Sequence, residues 1–169
     1  MNATLPAHLL AMERRAVPAE MIAALKARFA ERCSTAQAVR EQHGRDESPF
    51  EVAPPDAVVF AESTEEVSEL LVLADRYAVP VIAFGVGSSL EGHLLAVQGG
   101  ISIDVSRMNR VLRINDEDLT VTLQPGVTRN QLNNEIRHTG LQRDGQILVV
   151  DAQHPVHARD IDADAALHR

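Results

Sequence analysis

Residues 57–85 read AVVFAESTEEVSELLVLADRYAVPVIAFG. Ala57-Val58-Val59-Phe60 is a short apolar run of strand type. Ser63 and Glu66 then have the spacing of a capping box, in which a hydroxyl and a carboxylate satisfy N–H groups left unpaired by a first helical turn. Val67, Leu70, Leu71, Ala74 and Ala78 continue along one face of that helix. Val79 to Phe84 is a second strand, rich in β-branched residues and closed by Gly85. Strand, capped helix and strand with short joins make a βαβ unit, whose two strands must run parallel. The fold class is α/β.

The second strand runs into AFGVGSSLEGH at 83–93, which holds three glycines and two serines. A plain turn needs one or two such residues. Glycine accepts positive φ and has no Cβ to hold a ligand away, so a strand followed by glycines brings backbone N–H groups close to phosphate oxygens. Ser88 and Ser89 add hydroxyl donors. A Walker A loop would need Lys and then Ser or Thr after its last glycine, but Gly92 is followed by His93-Leu94. A Rossmann fingerprint beginning at Gly85-Val86-Gly87 would need a small residue at 90, where Leu90 stands. No Lys or Arg lies inside the loop, so any phosphate there is held by amides and hydroxyls, which suits a static pyrophosphate better than a phosphate being transferred. A Gly/Ser-rich surface loop without a ligand has the same composition, and both readings stand at this point. Glu91 reads as a solvated charge and His93 as a structural residue, or as a donor through its backbone N–H.

Working outward, Pro18 opens a helix with Met21, Ile22, Leu25 and Phe29 at helical spacing, over roughly 18–33. Cys33 then sits among helix-like neighbours and reads as inert. The polar, proline-bearing REQHGRDESPFEVAPPDA reads as an irregular approach to the folded domain. Downstream, Ile101-Ser102-Ile103-Asp104 is another strand. Val111–Ile114 and Leu119–Leu123 flank Asn115-Asp116-Glu117-Asp118, which makes an antiparallel hairpin. Thr128 caps a further helix, with Gln131 at the box position, Val127 stapling onto Leu132, and Gly140 as its stop. Ile147–Val150 is one more strand candidate, and the last 18 or so residues read as poorly ordered or as a solvated helix.

Composition narrows the function classes. The 169 residues suffice for a domain with a real core, and the hydrophobic (45%) and charged (24%) fractions are those of a globular protein. A net charge of −8 with Arg14-Arg15 as the only basic doublet argues against a nucleic-acid partner. No apolar run approaches the roughly 18 residues of a membrane span. The opening residues lack the pattern of a secretory signal, and the acidic Glu13 and Glu20 disfavour a mitochondrial transit peptide. A single cysteine excludes an internal disulfide and fits a reducing compartment, so the cytoplasm is the expected location.

Five segments in order carry a resemblance: HGRDES at 43–48, PPDAVVFAESTEEVSELL at 54–71, VPVIAFGVGSSLEGH at 79–93, GGISIDVSRMNRVLRI at 99–114 and LTVTLQPGVTRNQLNNEI at 119–136. Together they resemble the PCMH-type FAD-binding domain of the vanillyl-alcohol oxidase type of FAD-linked oxidases. Within these the closest resemblance is to the branch of D-lactate dehydrogenase (cytochrome) and the glycolate oxidase flavin subunit. The resemblance covers roughly residues 40–141 and implies the N-terminal part of such a domain: a small βαβ subdomain, then an incomplete α+β subdomain beginning near residue 99. It implies FAD as cofactor, with Gly85, Val86, Gly87, Ser88 and Ser89 around the pyrophosphate and Gly92 and His93 closing the loop. It also places Gly126, in QPGV, near the dinucleotide. The implied chemistry is oxidation of a 2-hydroxy acid, with electrons passed to a cytochrome, quinone or other acceptor, and by family a location peripheral to the inner membrane.

The departures begin after Leu141, where QRDGQILVV stands in place of the aromatic-rich, DPGA and GGM segments of the family, and the family's cap domain is expected to be missing. His154 and His157 form an H-x-x-H pair without a third ligand, which is weak for a metal. The expected organisation is a helical and irregular lead-in over 1–53, a partial FAD-binding domain over 54–141 and a divergent tail over 142–169. No catalytic or metal-binding residue is expected. The chain is expected to be an incomplete dehydrogenase part without turnover, with a non-catalytic remnant, or a subunit completed by a separately encoded C-terminal portion, as the alternative.

Overall fold

The computed structural model describes residues 13–118 and 120–137, and the backbone of 148–151. Two compact units emerge, Met1–Arg107 and Met108–Arg169. The first unit begins with helix α1 (Ala19–Phe29), which buries Met21, Leu25 and Phe29. Pro18 precedes it in an extended conformation, and its carbonyl accepts the first helical hydrogen bond from Ile22 N–H. The expected continuation to residue 33 does not occur. Ala30 takes a φ of 48°, and the chain tightens into a 3₁₀ turn at Ala30–Arg32. Cys33 therefore belongs to a two-residue strand β1 (Cys33–Ser34), not to a helix, and is a buried free thiol whose pKa burial raises.

A second difference follows. Helix α2 (Gln37–His43) overlaps the start of the stretch expected to be irregular. Its only buried residue is His43, so it has no apolar periodicity to betray it. The segment from Gly44 to Asp56 is irregular, as expected.

Strand β2 (Ala57–Phe60), helix α3 (Thr64–Arg76) and strand β3 (Val81–Phe84) form the expected crossover. Ser63 Oγ accepts from Glu66 N–H at 3.3 Å, and the Glu66 carboxylate accepts from Glu62 N–H at 2.9 Å. The helix ends earlier than the apolar pattern suggests. Tyr77 is its C-cap, and Ala78, expected to be helical, turns to a φ of 51°. Leu70 and Ala74 face the core, whereas Leu71 is exposed.

Strand β4 (Ile101–Asp104) decides the topology. The first sheet has the order β1-β2-β4-β3, with β4 parallel to both β2 and β3 and β1 antiparallel to β2. The two crossover strands are parallel, but they pair with the inserted β4 and not with each other. All four residues of β4 are buried, as befits a central parallel strand covered on both faces. The expected subdomain boundary near residue 99 is corrected accordingly: Ile101–Asp104 is the middle of the first sheet, and the unit boundary falls after Arg107.

In the second unit, β5 (Val111–Asn115) and β6 (Thr120–Leu123) form the expected antiparallel hairpin, with a bulge between Val111 and Arg113. Strand β7 (Leu148–Asp151) pairs parallel to β6, one residue later than the strand read from the sequence. Helix α4 (Arg129–Ile136) is capped by Thr128, whose Oγ accepts from Gln131 N–H at 3.3 Å. Its Leu132 and Ile136 pack with Val121, and Val127 joins that cluster as the staple requires. Gly140, His154, His157 and the expected disordered tail lie outside the described residues.

Candidate functional site

The loop after β3 is held from behind by the segment that links α2 to β2. Phe84, the last residue of β3, is buried, and its ring lies 4.1 Å from the His43 ring, centroid to centroid. His43 is fixed in turn. Its Nδ1 lies 2.8 Å from the Val39 carbonyl oxygen and its Nε2 lies 2.8 Å from Asp104 Oδ2, at the end of the central strand. Further along, Glu47 N–H donates to the Ser89 carbonyl at 2.9 Å, and the Phe50 ring packs on Gly92. HGRDES and GSSLEGH are thus two halves of one structure, although 35 or more residues of chain separate them.

The glycines of the loop differ in what they do. Gly87 (φ 75°) and Gly92 (φ 81°) sit in the left-handed region. A Cβ at Gly87 would also press on Phe84 at 3.1 Å, and one at Gly92 on Phe50 at 3.1 Å. These two glycines serve the loop itself. Gly85 has a negative φ, and a Cβ there would meet nothing within 4 Å. The space it leaves faces out of the chain, as a backbone approach to a ligand requires.

The outer rim, Gly85 to Ser88, carries the exposed Val86 and Ser88. The inner side is engaged with the protein. Ser89 Oγ lies 2.6 Å from His93 Nδ1, and Glu91 N–H reaches the same oxygen at 3.5 Å. Asp46 stands beside them. Burial pushes its carboxyl up, but the Ser48 hydroxyl and N–H, the Ser89 hydroxyl and Gly92 N–H outweigh that and hold it below the ordinary range. Only Ser48 N–H, 3.0 Å from Oδ1, is a squarely formed bond; Oδ2 is buried short of a well-formed partner.

A cavity of about 450 Å³ opens between α2 and the loop, lined among others by Glu41, Arg45, Asp46, Glu47, Phe84 and Gly87. Three carboxylates against one guanidinium make this hollow a poor seat for a phosphate. The exposed rim, by contrast, offers uncharged amides and the Ser88 hydroxyl.

The structure brings together seven of the eight residues expected at the site: Gly85, Val86, Gly87, Ser88, Ser89, Gly92 and His93 lie in one loop. Gly126 lies in the second unit, where its N–H donates to the Met108 carbonyl at 2.8 Å. The supporting residues His43, Asp46, Phe50 and Asp104 were not singled out from sequence. The one signal for three of them was the HGRDES-to-Phe50 stretch itself, conspicuous as a motif but with no visible partner. No group of three or more metal-ligating side chains occurs among the described residues, nor any helix long and apolar enough to cross a membrane.

Comparison with known proteins adds a family to this geometry. The FAD binding domain family matches residues 55–150. "Probable D-lactate dehydrogenase, mitochondrial" of Danio rerio is 50% identical over 108 residues, which is 64% of this chain and 22% of that protein. "Glycolate oxidase subunit GlcD" of Bacillus subtilis is 33% identical over 96 residues, 57% of this chain and 20% of that one. Among solved structures, alkyldihydroxyacetonephosphate synthase superposes with a TM-score of 0.65 at 27% identity, covering 76% of this chain and 26% of that one. The chain thus spans about a fifth of the length of these two curated relatives.

Proposed function

The chain belongs to the FAD binding domain family, and on that premise we propose that it is the FAD-holding part of a dehydrogenase of D-2-hydroxy acids such as D-lactate or glycolate. FAD is the cofactor. The observation that carries the site assignment is Gly85: an open glycine at the end of β3, the edge strand of the first sheet, starting a rim of amides whose inner side is tied to the protein. Gly85, Val86, Gly87 and Ser88 are the residues that would hold the pyrophosphate, with Ser89, Gly92 and His93 shaping the loop. FAD, when bound, supplies the two-electron acceptor for converting an α-hydroxyl carbon to a carbonyl.

The relatives' names support the substrate class. Turnover needs the α-carbon and a proton acceptor positioned together, and no residue of the described loop has that place. The described residues are accordingly read as holding FAD and not as oxidising the hydroxy acid. The buried single thiol of Cys33 supports the cytoplasmic expectation.

Titration of the purified chain with FAD, followed by the visible spectrum and flavin fluorescence, tests the binding reading. A saturable change is expected, and its absence at high micromolar chain removes the assignment. Anaerobic D-lactate or glycolate should not bleach the bound flavin faster than free FAD, and bleaching should return when the remaining portion of a relative is supplied in fusion or in trans. Bleaching by the chain alone would overturn the non-catalytic reading, and its failure to return in the fusion would overturn the substrate class.

A further inference from the structure

We infer that His43 carries a proton on each ring nitrogen and, as the imidazolium partner of Asp104, is the positioning residue that seats Phe84 against the glycine loop. That the loop so held is the FAD site rests on the reading above; the protonation and the seating do not.

A carbonyl oxygen only accepts, so the 2.8 Å contact of His43 Nδ1 with the Val39 carbonyl is made by an Nδ1–H. The 2.8 Å contact of Nε2 with Asp104 Oδ2 needs a proton of its own, brought by the ring or by a protonated carboxyl. The surroundings choose the ring. Burial raises the Asp104 carboxyl, yet the hydrogen bonds from His43 and Ser106 outweigh it, the Ser106 N–H standing 2.7 Å from Oδ1, and they favour the carboxylate. His43 also touches two aromatic rings, Phe84 with centroids 4.1 Å apart and Phe60 at 5.6 Å, and such contacts favour a cation over a neutral ring. The neighbouring cations are engaged elsewhere. Arg107, 4.9 Å over the Phe60 ring, pairs with Glu62 at 3.0 Å, and Arg40 turns to the Pro55 carbonyl and to Asp56. Glu41, Arg45, Asp46 and Glu47 line the open cavity against Phe84, where water screens them.

His43 is 2% exposed, so it acts on the loop only through Phe84. Phe84 ends β3, and its carbonyl accepts from Val105 N–H at 3.0 Å, which fixes its backbone to the exit of β4. Its ring meets His43, and its Cζ lies 3.1 Å from where a Cβ on Gly87 would stand. An imidazolium tethered at both nitrogens cannot shift without breaking a buried hydrogen bond. Phe84 therefore has a fixed backstop, and the turn through Gly87, with its φ of 75°, packs on a rigid edge.

Imidazole ¹⁵N NMR of the labelled chain at pH 7, with the His43 ring assigned from its contacts to Phe84 and Phe60 protons, reads the protonation directly. Both nitrogens are expected to be protonated. An unprotonated nitrogen at either position overturns the inference whether or not FAD binds. In Asp104→Asn the carboxylate that holds the second proton is gone, so Nε2 should lose its proton while Nδ1–H stays on Val39. A His43 spectrum unchanged by that substitution also overturns it. Phe84→Leu tests the seating, because it keeps an apolar side chain at the site without the ring. Backbone ¹⁵N relaxation should then show the Gly85–Ser88 amides gaining fast motion, and FAD should bind at least roughly fivefold more weakly. Amides as rigid as the parent's overturn the seating even if FAD binds to neither protein. Mobile amides with the parent's FAD affinity would support the seating and remove the loop from the FAD site. Should Asp104→Asn fail to fold, the parent spectrum and Phe84→Leu decide.

Discussion

His43 and Asp104, 61 residues apart, meet at 2.8 Å in the interior of the first unit, with side chains 3% and 5% exposed. Both ring nitrogens of His43 face acceptors, the Val39 carbonyl and the Asp104 carboxylate. Asp104 Oδ1 also accepts from Ser106 N–H at 2.7 Å. Burial raises the Asp104 carboxyl, but the His43 and Ser106 hydrogen bonds bring it below the ordinary value. The pair joins α2 to the central strand, and the Phe84 ring rests on it.

Removing one member of such a pair strands the other. Asp104→Asn and His43→Leu should each lower unfolding free energy by about 3–5 kcal/mol, read from urea melts. The double variant should lose markedly less than the sum, because neither charge nor lone pair is then left alone. Strict additivity would show that the two groups are not coupled.

Gly85 and Gly87 separate ligand space from loop strain. Gly85→Ala should leave stability within about 0.5 kcal/mol, because its Cβ meets nothing. Gly85→Asp should fold as well and yet bind FAD at least roughly tenfold more weakly, since a carboxylate would face the diphosphate. Gly87→Ala, by contrast, should destabilise by about 1 kcal/mol or more through its φ of 75° and its contact with Phe84. Equal FAD affinity in Gly85→Asp and parent would move the phosphate site elsewhere.

Glu66 contributes to the acid limb of stability. Its carboxylate takes two hydrogen bonds from Arg32, both 2.6 Å, and stands 13% exposed. The Arg32 hydrogen bonds, opposed by burial and helped by Glu62 N–H, lower it from 4.5 to about 2. A depressed carboxylate stabilises the fold above its unfolded value and loses that contribution as pH falls through 4.5 towards 2. The shift corresponds to an upper value of roughly 3 kcal/mol, and partial solvent access brings the expectation nearer 2 kcal/mol. Glu66→Gln should therefore be about that much less stable at pH 7, with the gap narrowing below pH 4.5. A gap constant with pH would exclude the ion pair as its source.

Thr128 tests the second unit alone. Thr128→Ala removes the acceptor for Gln131 N–H and should cost about 1 kcal/mol, whereas Thr128→Ser should cost little. Thermal melts followed by circular dichroism would check both, and equal losses would mean that the hydroxyl does not cap the helix.

What could be read along the chain was whatever is satisfied within a few residues. Ser63 and Thr128 cap their own helices, the Asn115–Asp118 turn joins its own strands, and Gly87 and Gly92 mark their own backbone strain. The glycine loop announced a close approach for the same reason. Tertiary structure alone decided three other things: that β4 enters between β2 and β3, that Cys33 leaves its helix to pair with Val59, and that the His43–Phe50 segment backs the loop. Each depends on groups tens of residues apart whose pairing is fixed by burial. A histidine in a polar stretch and an aspartate ending an apolar strand carry no mark of one another until the sheet closes and removes the water between them.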